Sequence, residues 1–548
     1  MAEPATLAEL IALRAERQGD DPAFRFFDGR GELAAELTYR GLWRKAAGVA
    51  AALREHAKPG DRALLVYPPG LDFLVGFLGC ALARVVPAPL ALPRRLAGRD
   101  ASAAILADCR PALGLTVAEK LELGDRLPLA GPWIATDRLA ESEDSPDPPA
   151  PEELALLQYT SGSTSAPKGV MVRHANLIAN LGMIAKALGN GARSAYASWT
   201  PLFHDMGLIL NALQALYVGA PCHLMAPGQF VQRPLTWLKL ISRYRIDVAG
   251  CPNFGYDLCV DRFRPEAVEG LDLSSWRIAF NGAEPVRRET LERFAAAFAP
   301  YGFRREAFYP CYGMAEATLL ISGPRPGEPV ATRPADGDLT PFVACGRALD
   351  GESLAIVDPE TFERRPLGAV GEIWARGPHI ARGYWRKPEA TEATFRARIA
   401  GEEGEWLRTG DLGFLDADGR LYPVGRIKDL IIIRGANHHP QDIERTVEEC
   451  HPALSRHNGA AFAADFGEGE QLVIVQEVER AGRGSLDGEE IENAIREAVT
   501  EAHEVAPRQV VLLRPGTLPK TTSGKIQRSL ARRLFLEGRL ALFEGAAR

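Results

Sequence analysis

The stretch Tyr159-Thr-Ser-Gly-Ser-Thr-Ser-Ala-Pro-Lys-Gly169 follows four apolar or small residues, Leu154 to Leu157, and precedes the apolar segment Val170-Met-Val172. This pattern predicts a short buried strand that leads into a loop of hydroxyl residues, glycine and one lysine. Such a loop has many backbone N–H and hydroxyl donors, so it suits a polyanion. The common P-loop differs, because there Gly-Lys is followed by Ser or Thr. A flexible Ser/Gly turn is the alternative, and Pro167 and Lys168 count against it.

The composition narrows the class of protein. With 548 residues, 46% of them hydrophobic and 25% charged, the chain is expected to form two or more globular domains. The net charge of −7 argues against nucleic acid as a partner. Eight cysteines occur without a C-x-x-C pair, which indicates free thiols in a reducing compartment. Prolines and charges interrupt the most apolar window, 63–93, so we expect no membrane span and a cytoplasmic protein.

The order of predicted elements indicates an α/β protein. Strands and helices alternate up to about residue 320, as in a mainly parallel sheet, with an acidic, proline-rich linker at 141–153. Short β-type runs dominate 342–422, and a compact α+β pattern starts near residue 430. The predicted elements include helices over Asp72–Ala83 and Pro440–Cys450 and strands over Leu113–Thr116 and Gln509–Leu513. We therefore predict an N-terminal domain over 1–424, made of two α/β subdomains and a β-rich subdomain, and a small C-terminal domain over 430–548.

Six further runs combine glycine with charged or aromatic residues. They are Phe203-His-Asp-Met-Gly207, Phe280-Asn-Gly-Ala-Glu-Pro285, Tyr312-Gly-Met-Ala-Glu-Ala-Thr318, Trp406-Leu-Arg-Thr-Gly-Asp411, Gly425-Arg-Ile-Lys-Asp429 and Pro519-Lys-Thr-Thr-Ser-Gly-Lys525. A strand end in an open α/β sheet is where ligands gather, and an aromatic ring there suits a base. A carboxylate suits Mg2+ or ribose hydroxyls. Taken singly, these runs also have structural explanations: His204 as a structural histidine, Tyr312 as a core tyrosine and Asp411 as a plain turn residue.

Together and in this order, the runs resemble the adenylate-forming (ANL) superfamily of acyl-CoA synthetases, peptide-synthetase adenylation domains and luciferases over essentially the whole chain. The runs at 158–164, 199–207, 312–318 and 439–444 are similar to those of the fatty acyl-AMP ligases. Ala315 stands where the superfamily usually has Thr and points to that branch. The run Ala436-Asn-His-His439 departs at two positions from the Arg-Asn-His-Tyr that these ligases commonly have before Pro440.

The resemblance implies the ANL fold, with a mobile C-terminal domain, and a role for each matching residue. Pyrophosphate of ATP is expected at Thr160, Ser161, Gly162, Ser163, Thr164 and Lys168, in a loop ordered only with nucleotide bound. The adenine and ribose are expected at Gly282, Ala283, Glu284, Tyr312, Gly313, Met314, Ala315, Asp411 and Arg426. Glu316 and Thr160 are the implied Mg2+ ligands, Lys525, His204 and Glu316 the catalytic residues, and Lys428 the hinge within 425–429. Candidate liners of the acyl pocket are Phe203, Met206, Gly207, Phe254, Phe280 and Met314.

The implied reaction joins a fatty acid to AMP, with ATP and Mg2+ as cofactors, and then passes the acyl group to the phosphopantetheine thiol of a separate acyl carrier protein. Two alternatives stay open at this point. One is a fatty acyl-CoA synthetase that uses free coenzyme A, because the segment 322–343, where these ligases carry an insertion, is short here. The other is a non-catalytic member that binds nucleotide or lipid, although the presence of Glu316, Asp411, Arg426 and Lys525 argues against it.

Overall fold

The computed structural model describes residues 3–92, 99–144, 146–160, 167–334, 341–433, 436–467, 469–479, 487–521 and 525–543. For residues 99–101, 125, 160, 436 and 437 it describes the backbone alone. The mixed α/β fold that the sequence predicted is confirmed, and its elements fall into four successive stretches.

The first stretch contains α1 (Leu7–Arg17), β1 (Pro22–Phe27), β2 (Leu33–Thr38), α2 (Tyr39–His56), β3 (Arg62–Leu65), α3 (Asp72–Ala83), β4 (Val86–Pro89), α4 (Arg99–Cys109), β5 (Leu113–Thr116), α5 (Leu123–Arg126), β6 (Trp133–Ala135), β7 (Leu154–Thr160) and β8 (Lys168–Arg173). Helix α2 begins where the Thr38 side chain accepts from the Gly41 amide, and it buries Leu42, Val49 and Leu53. The apolar window identified in the sequence forms β3, α3 and β4. Strands β4, β3, β5 and β6 form a parallel sheet in that order.

The second stretch contains α6 (His174–Leu188), β9 (Tyr196–Ser198), a π-helix (Met206–Leu213), α7 (Gln214–Val218), β10 (Cys222–Met225), α8 (Pro227–Gln232), α9 (Leu235–Arg243), β11 (Val248–Gly250), α10 (Asn253–Asp261), β12 (Ile278–Asn281), α11 (Arg288–Phe298) and β13 (Phe308–Pro310). A seven-stranded sheet has the order β13-β12-β11-β9-β10-β1-β2. Its strands run parallel apart from β2, which pairs antiparallel with β1. The carboxyl ends of β12 and β13 therefore lie side by side.

The third stretch is rich in short strands: β14 (Tyr312–Gly313), β15 (Leu320–Gly323), β16 (Thr332–Arg333), β17 (Phe342–Val343), β18 (Arg347–Ala348), β19 (Ser353–Val357), β20 (Gly371–Arg376), α12 (Pro388–Phe395), β21 (Leu407–Leu415) and β22 (Leu421–Arg426). Strands β19 to β22 form an antiparallel sheet in sequence order. This sheet places the middle of β21 and the end of β22 next to the carboxyl ends of the parallel strands, as the contacts of Tyr312 described below show.

The fourth stretch contains β23 (Ile431–Ile433), β24 (Ala436–His438), α13 (Pro440–Cys450), β25 (Leu454–Asp465), β26 (Glu470–Val478), α14 (Gly488–His503), β27 (Gln509–Leu513) and α15 (Arg528–Leu536). We call residues 431–543 the lid. Two clusters of buried apolar side chains draw entirely on the lid, one around Ile443, Ile474 and Ile495 and one around Phe462 and Ala531. Across the described ranges, no helix is both long and apolar enough to cross a bilayer.

Charged side chains join the lid to the preceding stretches. His457, whose φ is 58°, places Nε2 3.2 Å from Asp257 Oδ2, and Arg287 Nη1 lies 3.2 Å from Glu448 Oε2. Arg287 Nη1 also lies 3.0 Å from His457 Nδ1. This His457 cluster, comprising Asp257, Arg287, Glu448 and His457, fixes the orientation in which the lid faces the sheet.

Candidate active site

The predicted phosphate loop lies between β7 and β8, which pair antiparallel as a hairpin. Residues 161–166 of this loop and the Thr160 side chain lie outside the described residues, so the predictions for Thr160, Ser161, Gly162, Ser163 and Thr164 and for the order of the loop remain predictions. Lys168 begins β8, and its Nζ lies 4.4 Å from the ring centroid of Tyr384. Burial and the nearby Lys428 ammonium lower the pKa of Lys168, against the opposing charge of Glu316. Lys168 therefore lies close to the predicted metal ligand.

The carboxyl end of β12 turns sharply at Gly282 and Ala283. A Cβ added to Gly282 would lie 2.8 Å from the Cys311 carbonyl oxygen, so this position accepts only a residue without a side chain. Ala283 has φ 70°, in the left-handed region. Glu284 follows, and its Oε1 accepts from Asn253 Nδ2 at 3.1 Å. The turn thus presents backbone atoms and an anchored carboxylate beside the start of β14.

Tyr312, the middle of β21 and the end of β22 meet at one point. The Tyr312 hydroxyl donates to Asp411 Oδ2 at 2.8 Å, and Arg426 Nε donates to Asp411 Oδ1 at 3.0 Å. Asp411 and Arg426 are register partners across the β21–β22 pair, so the backbone holds the two side chains together. Asp411 is buried at 8% exposure and is surrounded by fixed donors. Such a carboxylate is suited to accept hydroxyl groups of a ribose.

Glu316 is a buried carboxylate with an aromatic partner. The Tyr384 hydroxyl donates to Glu316 Oε1 at 2.8 Å, and Glu316 is 8% exposed. Burial raises the pKa of Glu316, and the Tyr384 hydroxyl acts in the opposite direction. Gly313, Met314 and Ala315 connect Tyr312 to Glu316, and the Met314 amide donates to the Leu319 carbonyl at 2.8 Å. This short turn fixes the separation between the ring of Tyr312 and the carboxylate.

His204 and Asp205 form a pair before the π-helix. His204 Nδ1 lies 2.7 Å from Asp205 Oδ1, and the same Oδ1 accepts from the Met206 amide at 2.7 Å. Burial of Asp205 acts to raise its pKa, but His204 and Lys525 outweigh it, so the pKa of Asp205 falls to about 2. His204 is therefore oriented by a carboxylate that stays ionised.

Lys525 reaches this site from the lid. Its amide donates to Thr521 Oγ1 at 3.0 Å. Burial lowers the pKa of Lys525, and the carboxylates of Asp205, Glu284 and Asp411 and the guanidinium of Arg426 all act on it. The Lys525 ammonium thus lies in the field of both the His204–Asp205 pair and the Asp411–Arg426 pair.

The predicted hinge Lys428 lies in a short 3-10 turn, Ile427–Asp429, between β22 and β23. The turn is tied to the lid, because Arg528 Nη1 donates to Asp429 Oδ2 at 3.3 Å. Arg528 also pairs with Glu444, with Nε 2.6 Å from Oε1. One arginine three residues after Lys525 therefore contacts both the hinge turn and helix α13.

The six predicted pocket residues have different surroundings. Phe280 and Met206 are buried in the main apolar core, and a Cβ added to Gly207 would lie 2.2 Å from the Pro201 carbonyl oxygen. Phe254 packs edge-on against Trp199, with ring centroids 5.4 Å apart. Met314 is partly buried against the same core as Phe280, and the carbonyl of Phe203 accepts from Gln158 Nε2 at 3.1 Å. Their role as acyl contacts remains a prediction.

The sequence reasoning did not identify Tyr384, Asn253 or Asp205 as site residues. Tyr384 lies in the run Gly383-Tyr-Trp385, which has no charged residue and no turn signature that would indicate a site. Asn253 follows Pro252 at the start of α10, where a polar side chain is expected for capping alone. Asp205 was noted only as the neighbour of His204. Three-dimensional contacts were needed to show what each of them touches.

The fold and these groups together define an adenylate-forming enzyme. A family model described as AMP-binding enzyme matches residues 11–385, and one described as Disco-interacting protein 2-like, AMP domain, matches residues 428–544. The chain belongs to the AMP-binding enzyme family. The resemblance that the sequence motifs predicted is thereby confirmed.

Within this family, the chain is similar to several enzymes that are named as fatty acid ligases. The chain is 43% identical to a medium-chain-fatty-acid–[acyl-carrier-protein] ligase of Moorena producens, over 99% of this chain and 98% of the relative. It is 36% identical to a long-chain-fatty-acid–AMP ligase of Mycobacterium marinum, over 96% of each chain. A crystal structure of the fatty acyl-adenylate ligase from L. pneumophila, in complex with acyl adenylate and pyrophosphate, superposes with a TM-score of 0.76 at 39% identity, over 99% of this chain and 97% of that one.

Proposed function

We propose that this enzyme activates a fatty acid with ATP, releases pyrophosphate, and transfers the acyl group from the acyl adenylate to the phosphopantetheine thiol of a separate acyl carrier protein in the cytoplasm. The observation that carries the proposal is the buried Asp411 carboxylate, which the Tyr312 hydroxyl and Arg426 hold at 2.8 and 3.0 Å next to the carboxyl end of the parallel sheet. The similarity to ligases named for fatty acids, acyl-AMP and acyl carrier protein supports the same reaction.

In the first half-reaction, a carboxylate oxygen of the fatty acid forms a bond to the α-phosphorus of ATP. The bond from that phosphorus to the bridging oxygen breaks, and pyrophosphate leaves. Because two anions must approach each other, fixed positive charge and hydrogen-bond donors lower the barrier. Lys525 would stabilise the charge between carboxylate and α-phosphate. His204, oriented by Asp205, would hold the fatty acid carboxylate at the mouth of its pocket.

The remaining groups would hold the nucleotide. The 159–169 loop would bind the leaving pyrophosphate, with Lys168 at its end. The turn at Gly282, Ala283 and Glu284 would surround the adenine together with Tyr312. Asp411 would accept the ribose hydroxyls, since Tyr312 and Arg426 hold its two oxygens at 2.8 and 3.0 Å.

Glu316 fits a role as a Mg2+ ligand. It is a buried carboxylate close to Lys168, and within the described ranges no group of three His, Cys, Asp or Glu side chains is placed to hold a metal. A single buried carboxylate suits Mg2+, because this ion commonly takes one or two carboxylates from the protein and completes its shell with phosphates and water. When bound, Mg2+ would neutralise charge on the phosphates during attack.

In the second half-reaction, the carrier thiolate attacks the acyl carbonyl and AMP leaves with the bonding electrons. We propose that the lid first turns about Lys428, which removes Lys525 and admits the pantetheine arm. Such a turn would break the polar contacts of the His457 cluster, and water would have to solvate the Asp257 and Glu448 carboxylates, which are 4% exposed here.

One experiment tests the proposal as a whole. The protein is incubated with ATP, Mg2+ and fatty acids of graded length, and pyrophosphate release is measured. Coenzyme A or a pantetheinylated carrier protein is then supplied, and the acylated product is identified by mass spectrometry. We expect pyrophosphate release and acyl carrier. Acyl-CoA instead would favour the alternative suggested by relatives named as putative fatty-acid–CoA ligases, and absence of pyrophosphate with every acid would overturn the proposal.

A further inference from the structure

The segment 381–385 runs alongside β8 and extends the β7–β8 hairpin. The Met171 amide donates to the Gly383 carbonyl at 2.8 Å, and the Trp385 amide donates to the Gly169 carbonyl at 2.8 Å. Between these two bonds lies Tyr384. Its backbone is therefore fixed against the strand that leaves the phosphate loop.

The same segment is bonded to Glu316 at two points. The Ala381 amide donates to the Glu316 carbonyl at 2.9 Å, and the Tyr384 hydroxyl donates to Glu316 Oε1 at 2.8 Å. The Tyr384 ring is 5% exposed and packs edge-on against Phe395, with centroids 5.0 Å apart. Because the ring is held in place, its hydroxyl fixes the orientation of the carboxylate.

The face of the Tyr384 ring contacts a second group of the site. Lys168 Nζ lies 4.4 Å from the ring centroid, within the range of a cation–π contact. One side chain thus touches both the predicted metal ligand and the lysine that ends the phosphate loop. The Tyr384 hydroxyl contacts Glu316, and the face of the Tyr384 ring contacts Lys168.

We propose that Tyr384 is a positioning residue that holds the Glu316 carboxylate and the Lys168 ammonium in one fixed relation, so that the metal-binding and pyrophosphate-binding groups are coupled. The inference rests on the Mg2+ role proposed above for Glu316. Groups that hydrogen-bond to a metal-ligating carboxylate restrict its orientation, and their loss commonly weakens metal binding. Tyr384 differs from an ordinary partner of this kind because its ring also places a phosphate-binding cation.

Two substitutions separate the two contacts. Tyr384→Phe removes the hydroxyl and retains the ring over Lys168, whereas Tyr384→Leu removes both. ATP affinity is measured by calorimetry, without fatty acid, in EDTA and across a series of Mg2+ concentrations. For Tyr384→Phe we expect near-normal ATP affinity in EDTA. The Mg2+ concentration needed for half of the Mg2+-induced gain in ATP affinity should rise roughly ten- to a hundredfold. Tyr384→Leu should in addition weaken ATP binding in EDTA.

The matched control is Tyr67→Phe, which removes a buried hydroxyl 3.0 Å from Thr136 Oγ1 in the first stretch of the chain. It should leave both affinities unchanged. In a Glu316→Gln background, Tyr384→Phe should cause no further loss of Mg2+ dependence, which distinguishes positioning of Glu316 from a general structural effect.

Normal Mg2+ dependence in Tyr384→Phe would overturn the inference. If ATP binding by the unsubstituted protein does not respond to Mg2+, the metal role of Glu316 fails instead. Should Tyr384→Phe not fold, Thr391→Val serves as the second variant, because Thr391 Oγ1 accepts from the Tyr384 amide at 3.0 Å and so helps fix its backbone. Thr391→Val must then shift the Mg2+ dependence in the same direction, and an unchanged dependence would also overturn the inference.

Discussion

The two sides of the candidate site are held together by different forces. On the core side, Tyr312, Asp411 and Arg426 are linked by hydrogen bonds of 2.8 and 3.0 Å, and Glu316 is bonded to Tyr384. On the lid side, Lys525 belongs to a body with its own apolar clusters, and the contacts that orient this body include the charged pairs of the His457 cluster. In these pairs the carboxylates of Asp257 and Glu448 are 4% exposed, whereas His457 and Arg287 are 26% and 27% exposed. Separating such a pair leaves a carboxylate that water must solvate, whereas the apolar clusters are lost only on unfolding.

Under the proposed reaction, this difference would give the two sides distinct roles. The core side is suited to keep the nucleotide in one position through both half-reactions. The lid side is suited to supply Lys525 for the first half-reaction and to withdraw it before the second. The predictions that follow disturb one side at a time.

The largest effect is expected from Lys525→Ala. Removing one charge-assisted contact to the transition state commonly lowers the rate by about 10²–10³. We expect a loss of this size in pyrophosphate release, with ATP binding still measurable by calorimetry because the core side is intact. Arg533→Ala removes an exposed cation of α15 and is the control, with an expected normal rate. Near-normal pyrophosphate release by Lys525→Ala would contradict the role of this residue.

Lys428→Pro tests the withdrawal of the lid. Proline fixes φ at residue 428 and restricts residue 427, so the turn Ile427–Asp429 cannot change its conformation freely. We expect pyrophosphate release close to normal and acyl transfer to the carrier reduced to background, both measured on the same preparation. A variant that adenylates and transfers at normal rates would show that the lid does not turn at this residue.

The sequence predicted those parts of the fold in which local pattern and packing agree. Helices over Asp72–Ala83 and Pro440–Cys450 and strands over Leu113–Thr116 and Gln509–Leu513 have the predicted bounds. Strand β25 was missed. Its register with β26 shifts between Leu454 and Gly459, so polar residues fall where strict alternation requires apolar ones.

The site was predictable where glycine and charge occur together in a short run. The contacts of Asp411 unite its run with that of Arg426, 15 residues away, and with that of Tyr312, 99 residues away, and the order of the runs alone suggested a common site. The contacts of Tyr384 were not predictable, because they depend on a segment that pairs with β8 across more than two hundred residues of chain. The residues around Tyr384 show no local sequence pattern that indicates this long-range pairing.

The contact between lid and core is tested by His457→Ala. Losing its bond to Asp257 removes one charged hydrogen bond that favours the orientation with Lys525 in the site. A hydrogen bond to a charged group changes an equilibrium constant by about tenfold, here that between the two orientations of the lid. We therefore expect the rate of pyrophosphate release to fall by about the same factor. Transfer from preformed acyl adenylate should be normal or faster.

Arg288→Ala is the matched control, because Arg288 pairs with Glu292 along α11 and leaves the His457 cluster intact. Equal losses in both half-reactions would indicate that His457 supports the fold of the lid, and not its orientation.

The smallest effect concerns a buried pair on the core side. The side chains of Glu352 and His379 are fully buried, with Nε2 and Oε1 3.4 Å apart. The His379 carbonyl accepts from Thr318 Oγ1 at 2.6 Å, so this pair lies behind the turn that holds Glu316. Burial raises the pKa of Glu352 from 4.5 to about 7, against the opposing effect of His379.

A carboxyl group with a raised pKa makes the folded protein less stable as the pH rises. Between pH 4.5 and about 7 the folded protein retains a proton on Glu352 that the unfolded chain has released. Stability due to this group is thus present below that range and decreases through it. Glu352→Gln cannot ionise, so we expect it to raise the melting temperature by a few degrees at pH 8 and to change it little at pH 5. Scanning fluorimetry at pH 5, 6.5 and 8 measures the difference. A lower melting temperature at every pH would instead mean that Glu352 is ionised and stabilises a charged His379, which would make the core side dependent on an ion pair, as the lid contact is.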